Sequence, residues 1–300
     1  MDSIAKELAT DLVKTLEKQV WYFFTYERRR EEAYLTQGSR SLPDLAGREL
    51  ANPSYFDHHN SLKIRALEAA DRRTFRFDCP LTPTSAPASG KTTFASLLCQ
   101  HVNVLQPGVC AIVPLDGWHY TRLYLSNMPN PKEAFERRGA EWTFDAPAYC
   151  EFVSKLREPI PEAPVVEVTA EEGGGSINPK FAVITGPSFS HELKDPTPDA
   201  IVVLPSHRIV IIEGLYVFLS LERWGEAAKL LDERWYVEVD YDVARERLVR
   251  RHVATGVTET EEEARIRADN NDIPNGRFVE KHMLPPTRRI LSVDDQSLYS

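Results

Sequence analysis

The sequence predicts an α/β fold, a mostly parallel sheet flanked by helices in three layers (α/β/α), with an N-terminal helical extension. Three observations carry that expectation. Val109–Val113 and Ile209–Ile212 are short, apolar, β-branched runs of the kind that form strands buried on both faces. One runs on to Asp116-Gly117 and the other to Glu213-Gly214, so both lead to an acid-glycine pair. Helical segments separate the strands, and that alternation favours parallel pairing through crossover helices.

The elements follow in order. Ile4, Leu8, Leu12, Leu16, Val20 and Phe24 recur every fourth residue, which predicts a helix from Ile4 to about Glu32. Lys14, Glu17, Lys18 and the stretch 28–32 give it a polar face. A polar stretch, Thr36–Pro43, and a segment without clear pattern up to Asp71 complete an N-terminal extension over residues 1–72. The α/β domain is expected over 73–300. Thr74–Pro80 is half polar and ends on a breaker, and Pro83 is another, so the first strand is poorly formed in sequence. Ala95–Val104 reads as a helix after the Gly90-Lys91 turn, and Phe181–Ile184 as a short strand. Asp145 with Pro147 marks a helix start, the acid as N-cap and the proline in the first turn. Trp235–Val239 is a further strand and feeds a helix over Asp242–Thr255. Pro159–Asn178, rich in Pro, Glu and Gly, is a surface excursion, and Asp269–Asn275 reads as a polar turn.

Composition narrows the function. Hydrophobic residues at 42% and charged residues at 27% are ordinary for a globular protein. A net charge of −9 argues against a nucleic-acid partner, since phosphate neutralisation needs a basic face. The four cysteines have no C-x-x-C spacing, so reduced thiols and a cytoplasmic location are expected and a zinc site is not. The N-terminus lacks a basic region leading into an apolar stretch, and Ile209–Leu221 is too short and too polar to span a bilayer. No membrane partner is expected.

Ala86-Pro87-Ala88-Ser89-Gly90-Lys91-Thr92-Thr93 carries the second half of the phosphate-loop pattern G-x-x-x-x-G-K-[ST]. Ser85 stands where the first glycine belongs. In such a loop, backbone N–H groups surround phosphate oxygens, Lys91 reaches the β- and γ-phosphates and the Thr92 hydroxyl faces Mg²⁺. The following helix adds its positive end. Alone, the string is as compatible with a chance G-K-T in a loop. Asp116 ends a parallel strand on the ligand-facing edge and suits a base for a hydroxyl nucleophile, although D-G is more often a simple turn. His119 could contact the substrate or only a neighbouring loop. Glu213 suits a second acid holding Mg²⁺, and reads equally as a solvated strand end. Arg247, Arg250 and Arg251 share a helix face that could close over a nucleotide, or could simply be solvated.

In order and spacing, these pieces resemble the uridine kinase, phosphoribulokinase and type I pantothenate kinase superfamily of P-loop kinases, from about Arg73 to Glu280. The match is nearest to the branch whose strand-end motif reads D-G-F-H, here Asp116-Gly117-Trp118-His119. Next come Arg137-Arg138-Gly139-Ala140 through Thr143-Phe144-Asp145, and Pro187-Ser188-Phe189-Ser190-His191 through Asp195-Pro196. Ile211-Ile212-Glu213-Gly214-Leu215-Tyr216 follows, then Arg247-Leu248 to Arg251-His252 with Gly256, and Asn271 to Asn275. The resemblance implies a P-loop NTPase fold, ATP and Mg²⁺ as cofactors, and phosphoryl transfer to a small-molecule acceptor. It implies that Ala86, Ser89, Gly90, Lys91, Thr92 and Thr93 bind the triphosphate, with Thr92 and Glu213 at Mg²⁺. Asp116 would be the base, Arg247 and Arg251 would belong to a lid, and Asn271 and Asn275 would lie near the nucleotide base. His119, Arg137 and Arg138 would face the acceptor. Two departures stand out: Ser85 for the first loop glycine, and Ser190 for the acid of the F-D-H element.

The expectation is therefore an ATP-dependent kinase acting on a nucleoside, a sugar or a pantothenate-like alcohol. Ser85 and the half-polar strand before the loop also fit a nucleotide-binding protein that has lost transfer activity. A third reading is an interaction protein using the amphipathic N-terminal helix, which could equally cover the core or mediate homo-oligomer formation.

Overall fold

The computed structural model describes residues 1–14, 82–83, 88–158, 183–190 and 192–292. The first helix beyond residue 14, the strand expected at Thr74–Pro80, the domain boundary near 72, the excursion over Pro159–Asn178, Ser85, Ala86 and His191 lie outside the described residues.

Helix α1 covers 2–14. Strand β1 (Thr82–Pro83) leads to α2 (Lys91–Leu105), β2 (Cys110–Pro114) and a tight 3₁₀ turn, Leu115–Trp118. Two short helices, α3 (Arg122–Ser126) and α4 (Pro131–Glu136), precede α5 (Ala146–Leu156). Strands β3 (Ile184–Ser190), β4 (Asp195–Val203) and β5 (Ile209–Glu213) are followed by α6 (Glu222–Lys229) and β6 (Trp235–Glu238). The chain then runs through α7 (Tyr241–Ala254), α8 (Glu261–Arg267), a wide helical turn at Ala268–Asp272, α9 (Ile273–His282) and β7 (Arg288–Leu291).

Two ladders are parallel, β1-β6-β7 and β2-β5, and β3-β4 is an antiparallel hairpin. All of β5 is buried, and its side chains alternate between two cores. Val210 and Ile212 join Trp118, Tyr149, Trp224 and their neighbours on one side. Ile209 and Ile211 join Phe94, Leu98, Val237 and Ile290 on the other. A strand that is apolar from Ile209 to Ile212 is thus accounted for by cores on both faces.

The apolar face of α1 is spent inside this second core. Met1, Ala5, Leu8, Ala9, Leu12 and Val13 are buried in the cluster that holds α2, β5 and β6 side chains. The alanines at positions 5 and 9 sit on the same face as Leu8 and Leu12 and widen the every-fourth-residue stripe into a packing surface. Asp2 Oδ1 and His101 Nε2, 2.7 Å apart, join α1 to α2.

Three expectations are corrected. The strand read at Phe181–Ile184 begins at Ile184 and runs to Ser190, paired with a strand that the sequence did not announce. That partner, β4, contains Pro196 and Pro198, residues that suppress any strand prediction but are tolerated in a hairpin with an exposed side. Pro83, read as a breaker, is paired in β1 opposite Val237, although β1 is only two residues long. The polar turn read at Asp269–Asn275 is helical: the wide turn carries α8 into α9. Pro274 falls in the first turn of α9, where a missing N–H is harmless. By contrast, Asp145 does cap α5, accepting from the Ala148 N–H, with Pro147 in the first turn as expected.

Leu12→Ala is expected to lower unfolding free energy by about 2–5 kcal/mol in denaturant titration. Glu7→Ala on the exposed face of α1 should change it by less than about 0.5 kcal/mol. Equal, small effects would show that α1 is not part of the core.

Candidate active site

Register brings the first two site residues together. In the parallel β2-β5 pair, Pro114 lies opposite Glu213, so both strands end at one edge of the sheet. The 3₁₀ turn that follows β2 carries Asp116. The glycine after each acid answers a steric demand. A Cβ on Gly214 would lie 2.3 Å from the Leu115 Cβ, and one on Gly117 would lie 2.0 Å from the Pro187 carbonyl oxygen. Neither site has room for another residue. D-G and E-G are therefore close-packed strand ends rather than solvated turns, and their packing draws Asp116 toward Glu213.

The phosphate loop enters α2 alongside. Gly90 is the N-cap at φ 85°, with no side-chain cap, and α2 has no acid in its first turn. The N–H groups of that turn are thus available to an anion. Ala88 also has a positive φ, 88°, a conformation that costs an alanine about 1–3 kcal/mol and is kept where surrounding structure enforces it. Ser89 is fully buried and its Oγ has no hydrogen-bond partner among the described residues.

Thr92 Oγ1 donates to Glu213 Oε2 at 3.1 Å. Glu213 is 5% exposed, and that burial raises its pKa. The Lys91 ammonium pulls it down, the Asp116 carboxylate pushes it up again, and the Thr92 bond lowers it. Lys91, Thr92, Asp116 and Glu213 therefore act on one another at one sheet edge. Thr93 is exposed at the next position of α2. The oxygens of Thr92 and Glu213 are hard ligands, and a buried carboxylate beside a second one is an environment that a divalent cation relieves; the donor set fits Mg²⁺.

The residues expected on the acceptor side form a second assembly. His119 Nδ1 lies 2.8 Å from the Asp116 carbonyl oxygen, so Nδ1 carries the proton and, in the neutral ring, Nε2 is the acceptor. Its ring packs on Phe144 at 3.9 Å and Phe189 at 4.9 Å between centroids. Arg138 donates to the Lys194 carbonyl at 2.6 Å, the Tyr120 carbonyl at 3.0 Å and Asp195 Oδ1 at 3.2 Å. Burial lowers its pKa while Asp195 raises it, and its guanidinium lies over Phe189. Arg138 thus ties its loop to the β3-β4 turn.

Arg137 crosses to the wide turn, donating to the Asn270 carbonyl at 2.5 Å and to Asn275 Oδ1 at 3.2 Å. Asn275 donates in return to the Gly139 carbonyl at 3.2 Å, and Asn271 to the Arg138 carbonyl at 3.4 Å. The Gly139 carbonyl also accepts from Tyr216 Oη at 2.6 Å. Burial keeps the Tyr216 phenol protonated and a donor. Asn271 and Asn275, both buried, therefore spend their amides on the Arg137–Gly139 loop. Arg137, Arg267 and Asn271 line an open cleft of 510 Å³ beside it.

Of the two arginines expected in a lid, Arg247 donates through Nη1 to the Ala88 carbonyl at 3.3 Å and to Ser292 Oγ at 2.9 Å. Arg251, one turn later on α7, is exposed. Buried His252 pairs with Asp272 at 2.9 Å and fastens α7 to the wide turn. Sequence reasoning gave no role to Tyr216, Asp272 or Ser292. Tyr216 and Asp272 stand inside recognised strings, but nothing local marks Ser292.

No protein-family model matches the chain. A Schizosaccharomyces pombe protein provisionally named a uridine kinase is 38% identical over 201 residues, 67% of this chain and 77% of that protein. The ATP-dependent kinase-like protein notR' of Aspergillus versicolor is 39% identical over 171 residues, 57% of this chain and 90% of that one. The ATP-dependent kinase YFH7 of Zygosaccharomyces rouxii is 34% identical over 58% of this chain, which spans about half of YFH7 (48%). Among solved structures, Saccharomyces cerevisiae YFH7 aligns over 81% of this chain and 98% of its own at TM-score 0.58 and 22% identity. A Silicibacter kinase provisionally assigned to fructose transport aligns over 77% and 97% at TM-score 0.57 and 24% identity. The YFH7 structure is described as that of a P-loop containing kinase with a circular permutation, and the α/β fold described above is shared with both structures.

Because the folded-state pKa of Glu213 lies above its ordinary 4.5, the folded protein keeps a proton that the unfolded chain has released. Stability should therefore fall as pH rises from 4.5 through the raised value and level off above it. Glu213→Gln should flatten that slope in thermal melts from acidic to neutral pH. An unchanged slope would assign the titration to another group.

Proposed function

The chain belongs to the P-loop kinases of the uridine kinase-like superfamily, and from that premise we propose that it transfers the γ-phosphoryl group of ATP to a hydroxyl of a small metabolite. The observation that carries the proposal is the meeting of Lys91, Thr92, Asp116 and Glu213 at the uncapped start of α2. Names of relatives support ATP as the donor, and the donor set supports Mg²⁺. A small-molecule acceptor is proposed, and neither a nucleic acid nor a membrane.

In this mechanism the first-turn N–H groups of α2 and Lys91 hold the triphosphate, and Thr92 and Glu213 hold Mg²⁺. When bound, the cation neutralises charge on the phosphate oxygens. Asp116 accepts the proton of the acceptor hydroxyl as its oxygen bonds to the γ-phosphorus. The bond from that phosphorus to the β,γ-bridging oxygen breaks, and ADP leaves. Arg247 and Arg251 are assigned to the lid, and His119, Arg137 and Arg138 to the acceptor side, where Arg138 acts by fixing the loop. Nucleoside, sugar and pantothenate-like alcohols are all candidate acceptors, and the name of the fission-yeast relative favours the first.

A second reading, nucleotide binding with impaired or absent transfer, is favoured by Ser85 in place of the loop's first glycine. A cytoplasmic location is proposed from the cysteine pattern; no helix among the described residues is long and apolar enough to cross a membrane.

Consumption of ATP across a panel of such acceptors tests the proposal. Lys91→Ala should abolish turnover. Asp116→Ala should lower kcat by about 10²–10⁴-fold while sparing ATP binding. Full turnover in both variants would sink the assignment, and ATP affinity without transfer to any acceptor would establish the second reading.

A further inference from the structure

A loop that aims its N–H groups at a ligand turns carbonyls outward, and each outward carbonyl needs a donor. Two carbonyls of the phosphate loop find donors from outside the loop. The Ser89 carbonyl accepts from Ser292 Oγ at 2.8 Å. The Ala88 carbonyl accepts from Arg247 Nη1 at 3.3 Å, and the same Nη1 donates to Ser292 Oγ at 2.9 Å. The Ser292 hydroxyl is thus a relay, giving its proton to the loop and taking one from the lid helix. It stands immediately after β7, and its own N–H donates to the Glu238 carbonyl at the end of β6 at 2.7 Å. The loop's carbonyl side is therefore fastened to the end of the sheet through one hydroxyl. The fastened stretch is also the one that holds the positive φ at Ala88.

We propose that Ser292 is a positioning residue for nucleotide binding: it anchors the Ser89 carbonyl and Arg247 so that the loop N–H groups stay aimed at the phosphates. This rests on the ATP-kinase reading above. Ser292 does not touch the phosphates; it acts through the loop and through Arg247. Its loss should weaken ground-state binding of the triphosphate more than it slows transfer.

The test uses the full chain with Mg·ATP as probe, by calorimetric titration and steady-state kinetics. Ser292→Ala should weaken ATP binding and raise KM for ATP by about 5- to 10-fold, with kcat within about 2-fold. Ser292→Thr, which keeps the hydroxyl, should restore affinity. Wild-type affinity in Ser292→Ala overturns the proposal. So does equal loss in the alanine and threonine variants with a lowered melting temperature, which would mark a purely structural role. If the wild-type chain binds no ATP, the kinase reading falls and this proposal with it; intact binding with an unaffected alanine variant removes this proposal alone.

Discussion

A buried carboxylate is the constraint around which the site is arranged. Glu213 sits at the end of a strand with no exposed side chain, and desolvation disfavours its charge. Asp116, drawn in by the packing of Leu115 on Gly214, makes that worse. Lys91 and the Thr92 hydroxyl offset part of the cost from the first turn of α2. An arrangement of two acids that must be relieved by added positive charge is poor for stability and useful for binding. Under the proposed function, the free energy left unfavourable in the ligand-free fold would become available when a cation and the phosphates it accompanies bind there.

The surrounding structure exists to hold that balance in place. The 3₁₀ turn after β2, the glycine contacts and the uncapped helix start put the polar groups at one edge. Behind α2, the α1 side chains fill the core beneath it. On the other side, Arg137, Asn271, Asn275 and Tyr216 lock the Gly139 loop to the wide turn. His252 and Asp272 lock the same turn to α7, the helix that carries Arg247 and Arg251. The wide turn is therefore the joint through which α7 and the Arg137–Gly139 loop share contacts.

Much of this was legible because its causes are local. Strands β2 and β5 announced themselves through uninterrupted apolar runs, β6 through an aromatic and β-branched run broken by Glu238, and the start of α5 through the capping chemistry of Asp145 and Pro147. The two acid-glycine pairs marked strand ends, although the reason for the glycines, contact with Leu115 and Pro187, is tertiary. What stayed hidden depends on distant partners. β4 carries prolines and pairs only because the chain folds back on β3. Asn271 and Asn275 stood in a recognised string, but their bonds to a loop more than 130 residues away follow no sequence rule. Ser292 is an ordinary serine until the loop carbonyl arrives.

The arginines show most sharply why geometry has to precede function. Arginine-rich stretches read alike in sequence, yet the structure sorts them by what they hold. Arg138 is committed to Asp195 and two carbonyls, and Arg245 and Arg265 to Asp269 and Glu246. Arg137 binds neutral oxygens in the contacts to Asn270 and Asn275, so those bonds orient its charge without neutralising it. Arg247 reaches the Ala88 carbonyl and the Ser292 hydroxyl, and Arg251 is exposed one turn away. Phosphoryl transfer draws on cations whose charge has not been cancelled by a nearby carboxylate. By that criterion Arg137, held by a carbonyl and an amide oxygen, is suited to act on an anionic ligand under the proposed function.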